Sequence, residues 1–166
     1  DVVCAGILVA DMFTPPMPAL PKEGELLLVD HFLMSTGGCA ANTGISLAKL
    51  GVKVSVAGKV GDDAFGVFIS NELKKSGLAD ISQISVSQTK ATSRTVILNV
   101  KGADRRFIHA IGANADFLVG DIDFDQIART KVLYVGGYQI LPGVTPDSLG
   151  DLFRRARDKG VLTVLD

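Results

Sequence analysis

Residues 37–51 read Gly-Gly-Cys-Ala-Ala-Asn-Thr-Gly-Ile-Ser-Leu-Ala-Lys-Leu-Gly. A glycine pair stands directly before a helical pattern, and a third glycine, Gly51, closes that pattern as its C′ residue. The pair lets the backbone come close to a neighbour or a ligand and adopt unusual torsions. The helix that follows starts with N–H groups that have no intrahelical partner, which suits an oxygen-rich ligand. Asn42 lies about one turn inside, where its amide can donate and accept. On its own, Asn42 serves a helix or a ligand equally well. The whole run reads as a small polyol site built on a turn and a helix start.

Working outward, the flanks alternate between strand and helix patterns. Val2–Val9 is a nearly continuous apolar run, expected as one buried parallel strand with Asp11 at its C-terminal end. Residues 14–24 hold four prolines and cannot be regular structure. Glu25–Met34 returns to strand composition. Val52–Val60 is β-branched and alternating, a further strand. Asp62 is expected to cap a helix whose face is Phe65, Phe68, Ile69 and Leu73 and whose stop is Gly77. A short strand follows at Ile81–Val86. Thr95–Val100 and Arg106–Ala110 flank Lys-Gly-Ala-Asp-Arg and read as a hairpin. Gly120–Ala128 suggests a short helix begun by Asp121, and Val132–Val135 a buried strand. Thr145-Pro146-Asp147 is an N-cap, a proline at N1 and a first-turn acid, and it opens a helix that stops at Gly160. Val161–Leu165 is the last strand.

This rhythm predicts an α/β fold, a mainly parallel sheet with helices on both faces. Residues 25–35 and 93–110 break the rhythm and are expected to form a small separate sheet. The chain has 166 residues, long enough for one well-buried domain. Its formal net charge of −1 argues against a general nucleic-acid surface. No apolar run reaches the roughly 20 residues that span a bilayer, so no membrane partner is expected. Cys4 and Cys39 lack metal-type spacing and suit a reducing, cytoplasmic setting. A parallel strand at the end of the sequence normally feeds a further connection, so a C-terminal part is expected to be missing.

Ligands of open α/β sheets sit beyond the C-terminal strand ends. That rule brings forward Asp11, Gly37, Gly38, the Gly136-Gly137-Tyr138 segment and Asp166. Asp11, when ionised, can accept from two hydroxyls. His109 and Arg105-Arg106 lie in the extended segment, where a satisfied strand histidine and a solvated hairpin are the ordinary readings. Cys39 at a helix start could be an activated thiol or merely a small residue that fits the turn. The run Arg154, Arg155, Arg157, Lys159 reads as a solvated helix face favoured by the helix dipole. The sequence has no P-loop, and Ala-Asp-Met-Phe-Thr-Pro-Pro after the first strand cannot cradle a pyrophosphate in the dinucleotide manner.

Four stretches together resemble the ribokinase-like (PfkB) carbohydrate kinases over almost all 166 residues. They are Asp11, Gly-Gly…Asn42, Gly58-Lys-Val-Gly-Asp-Asp-Ala-Phe-Gly66, and the hairpin ending Arg106-Phe-Ile-His-Ala-Ile-Gly-Ala-Asn114. The resemblance implies phosphoryl transfer from ATP to a sugar hydroxyl, with Mg²⁺ neutralising phosphate charge. It implies a partial α/β kinase domain over 1–166 with residues 14–36 and 92–111 as β lid segments. Asp11, Gly37, Gly38 and Asn42 would hold the small-molecule sugar, with Tyr138 and His109 as weaker candidates. Asp166 would lie near phosphate and metal, and a homodimer through the lid is plausible on the same grounds. A nucleoside (adenosine-type) kinase and a non-catalytic sugar-binding module are the alternatives. Cys39-Ala40 replaces the Lys-Gly usual in ribokinases proper, which leaves the sugar open. The family's Gly-Ala-Gly-Asp anion hole with its catalytic base occurs nowhere in the sequence, so no catalytic residue is assigned and the chain alone is expected to lack turnover.

Overall fold

The computed structural model describes all of residues 1–166. Strands β1 (Val2–Gly6), β4 (Val54–Gly61), β5 (Asp80–Ser87), β8 (Val132–Gly136) and β9 (Leu162–Leu165) form one sheet in the order β5-β4-β1-β8-β9. Every pairing in it is parallel. Successive strand residues point to opposite faces, and both faces are covered. Val3 and Ala5 pack with Leu149, Leu152 and Ala156 of α4 (Pro146–Asp158). Cys4 and Val56 pack with Ala40 and Ala41 of α1 (Cys39–Lys49) and with Ile69 and Leu73 of α2 (Ala64–Lys75). This is the α/β architecture with helices on both faces that the alternating pattern predicts.

A second sheet has the order β3-β2-β6-β7, from β2 (Val9–Phe13), β3 (Leu33–Gly37), β6 (Arg94–Leu98) and β7 (Arg106–Ala110). The hairpin of β6 and β7 is as expected. The presence of β2 in this sheet is not. The apolar run from Val2 to Val9 is no single strand: it breaks after Gly6, whose φ is 133° and whose added Cβ would overlap the Gly136 carbonyl oxygen. Leu8 is withdrawn from both sheets because Asn114 takes its backbone. The Leu8 N–H donates to Asn114 Oδ1 at 3.1 Å, and Asn114 Nδ2 donates back to the Leu8 carbonyl at 2.9 Å. Asp11 therefore sits inside β2, in the second sheet, and not at the C-terminal end of β1.

Three further expectations are corrected. Glu25–Phe32 forms no strand, and β3 begins only at Leu33. Leu26 and Leu28 are 81% and 83% exposed, so the apolar residues there have no sheet to enter. The cap of α2 is Asp63, whose carboxylate accepts from Gly66 N–H at 2.9 Å, and not Asp62. Asp121 begins no helix, because its carboxylate is taken by Lys59 Nζ at 2.8 Å and by the Leu118 N–H at 2.7 Å. The short helix α3 (Phe124–Ile127) is instead capped by Asp123. No helix is long and apolar enough to cross a membrane.

Candidate functional site

Four polar side chains lie directly opposite one another across the second sheet. Register pairs Ser35 with Asp11, Asp11 with Thr95, and Thr95 with His109. Directly opposed residues project to one face, so the row runs Ser35–Asp11–Thr95–His109. Thr95 is buried, and its Oγ1 lies 3.0 Å from His109 Nδ1. Burial pushes the Asp11 carboxyl above the usual aspartate value, while the Thr95 hydroxyl and the nearby His109 pull it back. The carboxylate thus stands half-desolvated beside one satisfied partner, with capacity left to accept from a ligand hydroxyl.

The glycine pair closes this corner. A Cβ on Gly37 would overlap Asp11 Oδ2, so only glycine leaves the carboxylate in place. Gly38 has φ of 93°, and its Cβ would overlap the Ile7 carbonyl oxygen. Gly38 is the N-cap of α1 and supplies no side-chain cap, which leaves the helix start to other acceptors. Its carbonyl accepts from the Asn42 N–H at 2.9 Å, one turn on. The Asn42 side chain is exposed and makes no hydrogen bond to the protein. It opens onto a polar groove of ≈ 390 Å³ shared with Ser35, Thr36, Ser46 and Lys49.

Tyr138 and Asp166 belong to a different hollow. It is lined by Cys39, Gly137, Tyr138, Gln139, Ile140 and Asp166, beyond the ends of β8 and β9. The Asp166 backbone oxygen accepts from the N–H groups of Gly137 and Tyr138 at 3.0 and 3.2 Å. Its carboxylate Oδ2 accepts from Tyr134 Oη at 2.7 Å. Burial, with Asp166 adding to it, pushes the Tyr134 phenol up to about 12. Burial and then Asp166 also raise the Cys39 thiol, so it is a neutral side chain packed against the turn and no activated nucleophile. A Cβ on Gly136 would lie 2.6 Å from Cys39 Cβ and 2.6 Å from Tyr134 Oη, which fixes how closely α1 meets β8.

The structure therefore brings Asp11, Gly37 and Gly38 together, ties His109 to them through Thr95, and leaves Asn42 at the edge of the same corner. Tyr138 and Asp166 stand apart from that row. Ser35 and Thr95 were not singled out from sequence. The signal available was only their spacing within the two extended segments, and strand register is set by pairing, which one sequence does not reveal. No three His, Cys, Asp or Glu side chains converge anywhere in the molecule.

Comparison with known proteins identifies the family. The profile of the pfkB family carbohydrate kinases matches residues 1–166. The 5-dehydro-2-deoxygluconokinase of Clostridium perfringens is 32% identical over 139 residues, which is 82% of this chain and 41% of that protein. The ribokinase of Bacillus subtilis is 35% identical over 96 residues, 58% of this chain and 32% of that one. Among solved structures, Arabidopsis thaliana ribokinase complexed with ribose and ATP superposes with a TM-score of 0.80 at 24% identity, covering 99% of this chain and 52% of that chain. The chain spans roughly half or less of the length of the relatives it matches. With its full length matched by the profile and both sheets matched in space, the chain belongs to the pfkB carbohydrate kinase family.

Proposed function

We propose that this chain supplies the sugar-binding part of an ATP-dependent carbohydrate kinase. The observation that carries the reading is the half-desolvated Asp11 carboxylate, wedged against Gly37 and flanked by Thr95 and Ser35 on one face of the second sheet. A carboxylate so placed accepts from two vicinal hydroxyls, and the capless start of α1 beside it adds N–H donors. The second sheet would act as the lid over the sugar, with residues 14–36 and 92–111 as its segments. ATP and Mg²⁺ would supply the phosphoryl group and its charge neutralisation. Mg²⁺ on a nucleotide takes one or two carboxylates beside phosphates and water, and Asp166, beyond the ends of β8 and β9, is the carboxylate of this chain that would stand nearest them. No step through them is derived. What this chain contributes is binding, orientation and exclusion of water around the accepting hydroxyl.

Two copies would pair through the second sheet, whose outer strands leave Leu33 59%, Phe107 58% and Ile108 64% exposed. The free Cys4 and Cys39 suit a reducing cytoplasm.

Calorimetric titration with D-ribose, D-fructose, 2-keto-3-deoxygluconate and adenosine tests the reading. At least one sugar is expected to bind, and Asp11→Ala is expected to weaken it at least 100-fold, about 3 kcal/mol for a charge-assisted contact and its neighbour. Full affinity in that variant, or binding of adenosine alone, would sink the assignment.

A further inference from the structure

Thr95 stands between two groups that both call on its hydroxyl. Its Oγ1 lies 3.0 Å from His109 Nδ1 on one side, and the Asp11 carboxylate lies beside it on the other. The residue is only 7% exposed, so its hydroxyl finds its partners within this row. His109 lies on β7, an edge strand whose five residues are all exposed. Its Nε2 has no hydrogen-bond partner in the protein. Two residues further along the strands, the same face presents Leu33, Phe13, Ile97 and Phe107, so the sheet offers Nε2 no polar neighbour there.

Counting protons fixes the direction of these contacts. A hydroxyl carries one proton and two lone pairs, an ionised carboxylate only accepts, and a neutral imidazole holds its proton on one nitrogen. If Thr95 donated to Nδ1, its oxygen and that of Asp11 would face each other with no proton between them. If Thr95 donates to Asp11 and the Nδ1–H donates to Thr95, every contact has a proton. The half-buried carboxylate is the costlier group to leave without a donor, which favours the second arrangement. The row then runs from His109 Nδ1–H to Thr95 to Asp11, and Nε2 keeps a bare lone pair.

We propose that Asp11 and Thr95 hold His109 in its Nδ1–H tautomer, and that His109 Nε2 is a specificity-determining acceptor for a second hydroxyl of the sugar. The inference rests on the sugar-binding reading and adds to it the proton arrangement of the site. Asp11 and His109 stand two strand spacings apart, roughly 10 Å. Both side chains reach Thr95, which brings their free acceptors within the span of one monosaccharide and its two hydrogen bonds. Between Asp11 and His109 the row offers acceptors alone, so it takes groups that donate. A hydroxyl fits there, and a carbonyl, carboxylate or ether oxygen does not.

Nitrogen and carbon NMR on the labelled 166-residue chain tests this, because the sequence has two histidines and the other, His31, is exposed and outside the row. At about pH 8.5, above the ordinary histidine range, His109 is expected as Nδ1–H and His31 in the Nε2–H form that a free imidazole prefers. Thr95→Val and Asp11→Asn should release His109 to that form, while Thr95→Ser, which keeps the hydroxyl, should not. An Nε2–H His109 in the unaltered chain, or a tautomer indifferent to Asp11→Asn, overturns the proposal. D-ribose, D-fructose and 2-keto-3-deoxygluconate are then added separately at saturation. At least one is expected to shift both the Asp11 carboxyl carbon and His109 Nε2, with the Nδ1 proton left in place. His109→Phe should weaken that sugar about tenfold, and His109→Gln, whose amide oxygen can accept, should lose less. Sugars that shift Asp11 but never Nε2 defeat the proposal and spare the Asp11 corner. A sugar that shifts Nε2 but not Asp11 supports His109 and sinks that corner, and no shift at either residue defeats both.

Discussion

In the proposed site, two neighbours and its burial define the surroundings of Asp11. Gly37 leaves room for its carboxylate, the Thr95 hydroxyl beside it lowers its pKa, and burial raises that pKa by more. Sugar affinity should therefore fall as pH drops through a value above the ordinary 3.8 of an aspartate, because only the ionised group is a pure acceptor. Folding stability carries the opposite sign. A carboxyl raised in the folded state adds stability below its unfolded value and loses it as pH rises through the raised one. Asp11→Asn should flatten both dependences, read by titration and by urea melts across pH 3 to 7. Gly37→Ala is expected to lose sugar affinity more than fold, since the added methyl meets the Asp11 side chain. Gly38→Ala is expected to lose both, since its methyl meets the Ile7 backbone in a left-handed conformation.

Between elements, polar side chains mount the second sheet on the first. Asn114 brackets Leu8 where the chain leaves β1. Asp63 does two tasks: it caps α2 at Gly66, and it accepts from Thr92 N–H at 2.8 Å and Thr92 Oγ1 at 2.6 Å, where the chain enters β6. Asn114→Ala should cost about 2–3 kcal/mol, because it leaves a buried N–H and C=O of Leu8 unpaired. The midpoint of urea denaturation reads that loss, and an unchanged midpoint would contradict the bracket. Burial raises the Asp63 carboxyl, but the Thr92 and Gly66 donors outweigh it and the net shift is downward. Its share of stability is thus present above the usual aspartate value and lost as pH falls through the lowered one.

The same elements show what one sequence reveals. Helices α1, α2 and α4 were legible because capping residues and terminal glycines carry their own local signals, Thr145-Pro146 and Gly160 most clearly. The break at Gly6–Leu8 was not, because it depends on Asn114, over a hundred residues away. Glu25–Phe32 has strand composition but no partner strand, and composition says nothing about partners. Asp63 displaced Asp62 as the cap because Thr92 also recruits it, a long-range contact that the local pattern lacks. At the site, Asp11, Gly37 and Gly38 were readable as residue types. The row that joins Asp11 to Ser35, Thr95 and His109 came only with strand register.

At the scale of the whole molecule, a parallel five-stranded sheet is joined to a smaller four-stranded sheet where the chain passes from its central strand β1 into β2, and the proposed sugar corner lies on that second sheet. Without the anion-hole motif, the 166-residue chain is expected to bind sugar without phosphorylating it, a coupled ATPase and sugar-phosphate assay giving no turnover above background. Pairing through the exposed apolar strands of the second sheet is expected to appear as a dimer in sedimentation, shifted toward monomer by Ile108→Lys. Asp11 and the Gly37-Gly38 turn are proposed to hold the hydroxyls of a sugar. The most direct test is a crystal structure of this chain with the tightest-binding sugar of the panel. Two sugar hydroxyls are expected within about 3.2 Å of the Asp11 carboxylate oxygens, with Asn42 at the rim. A sugar seated elsewhere, or one that makes no hydrogen bond to Asp11, would contradict this assignment.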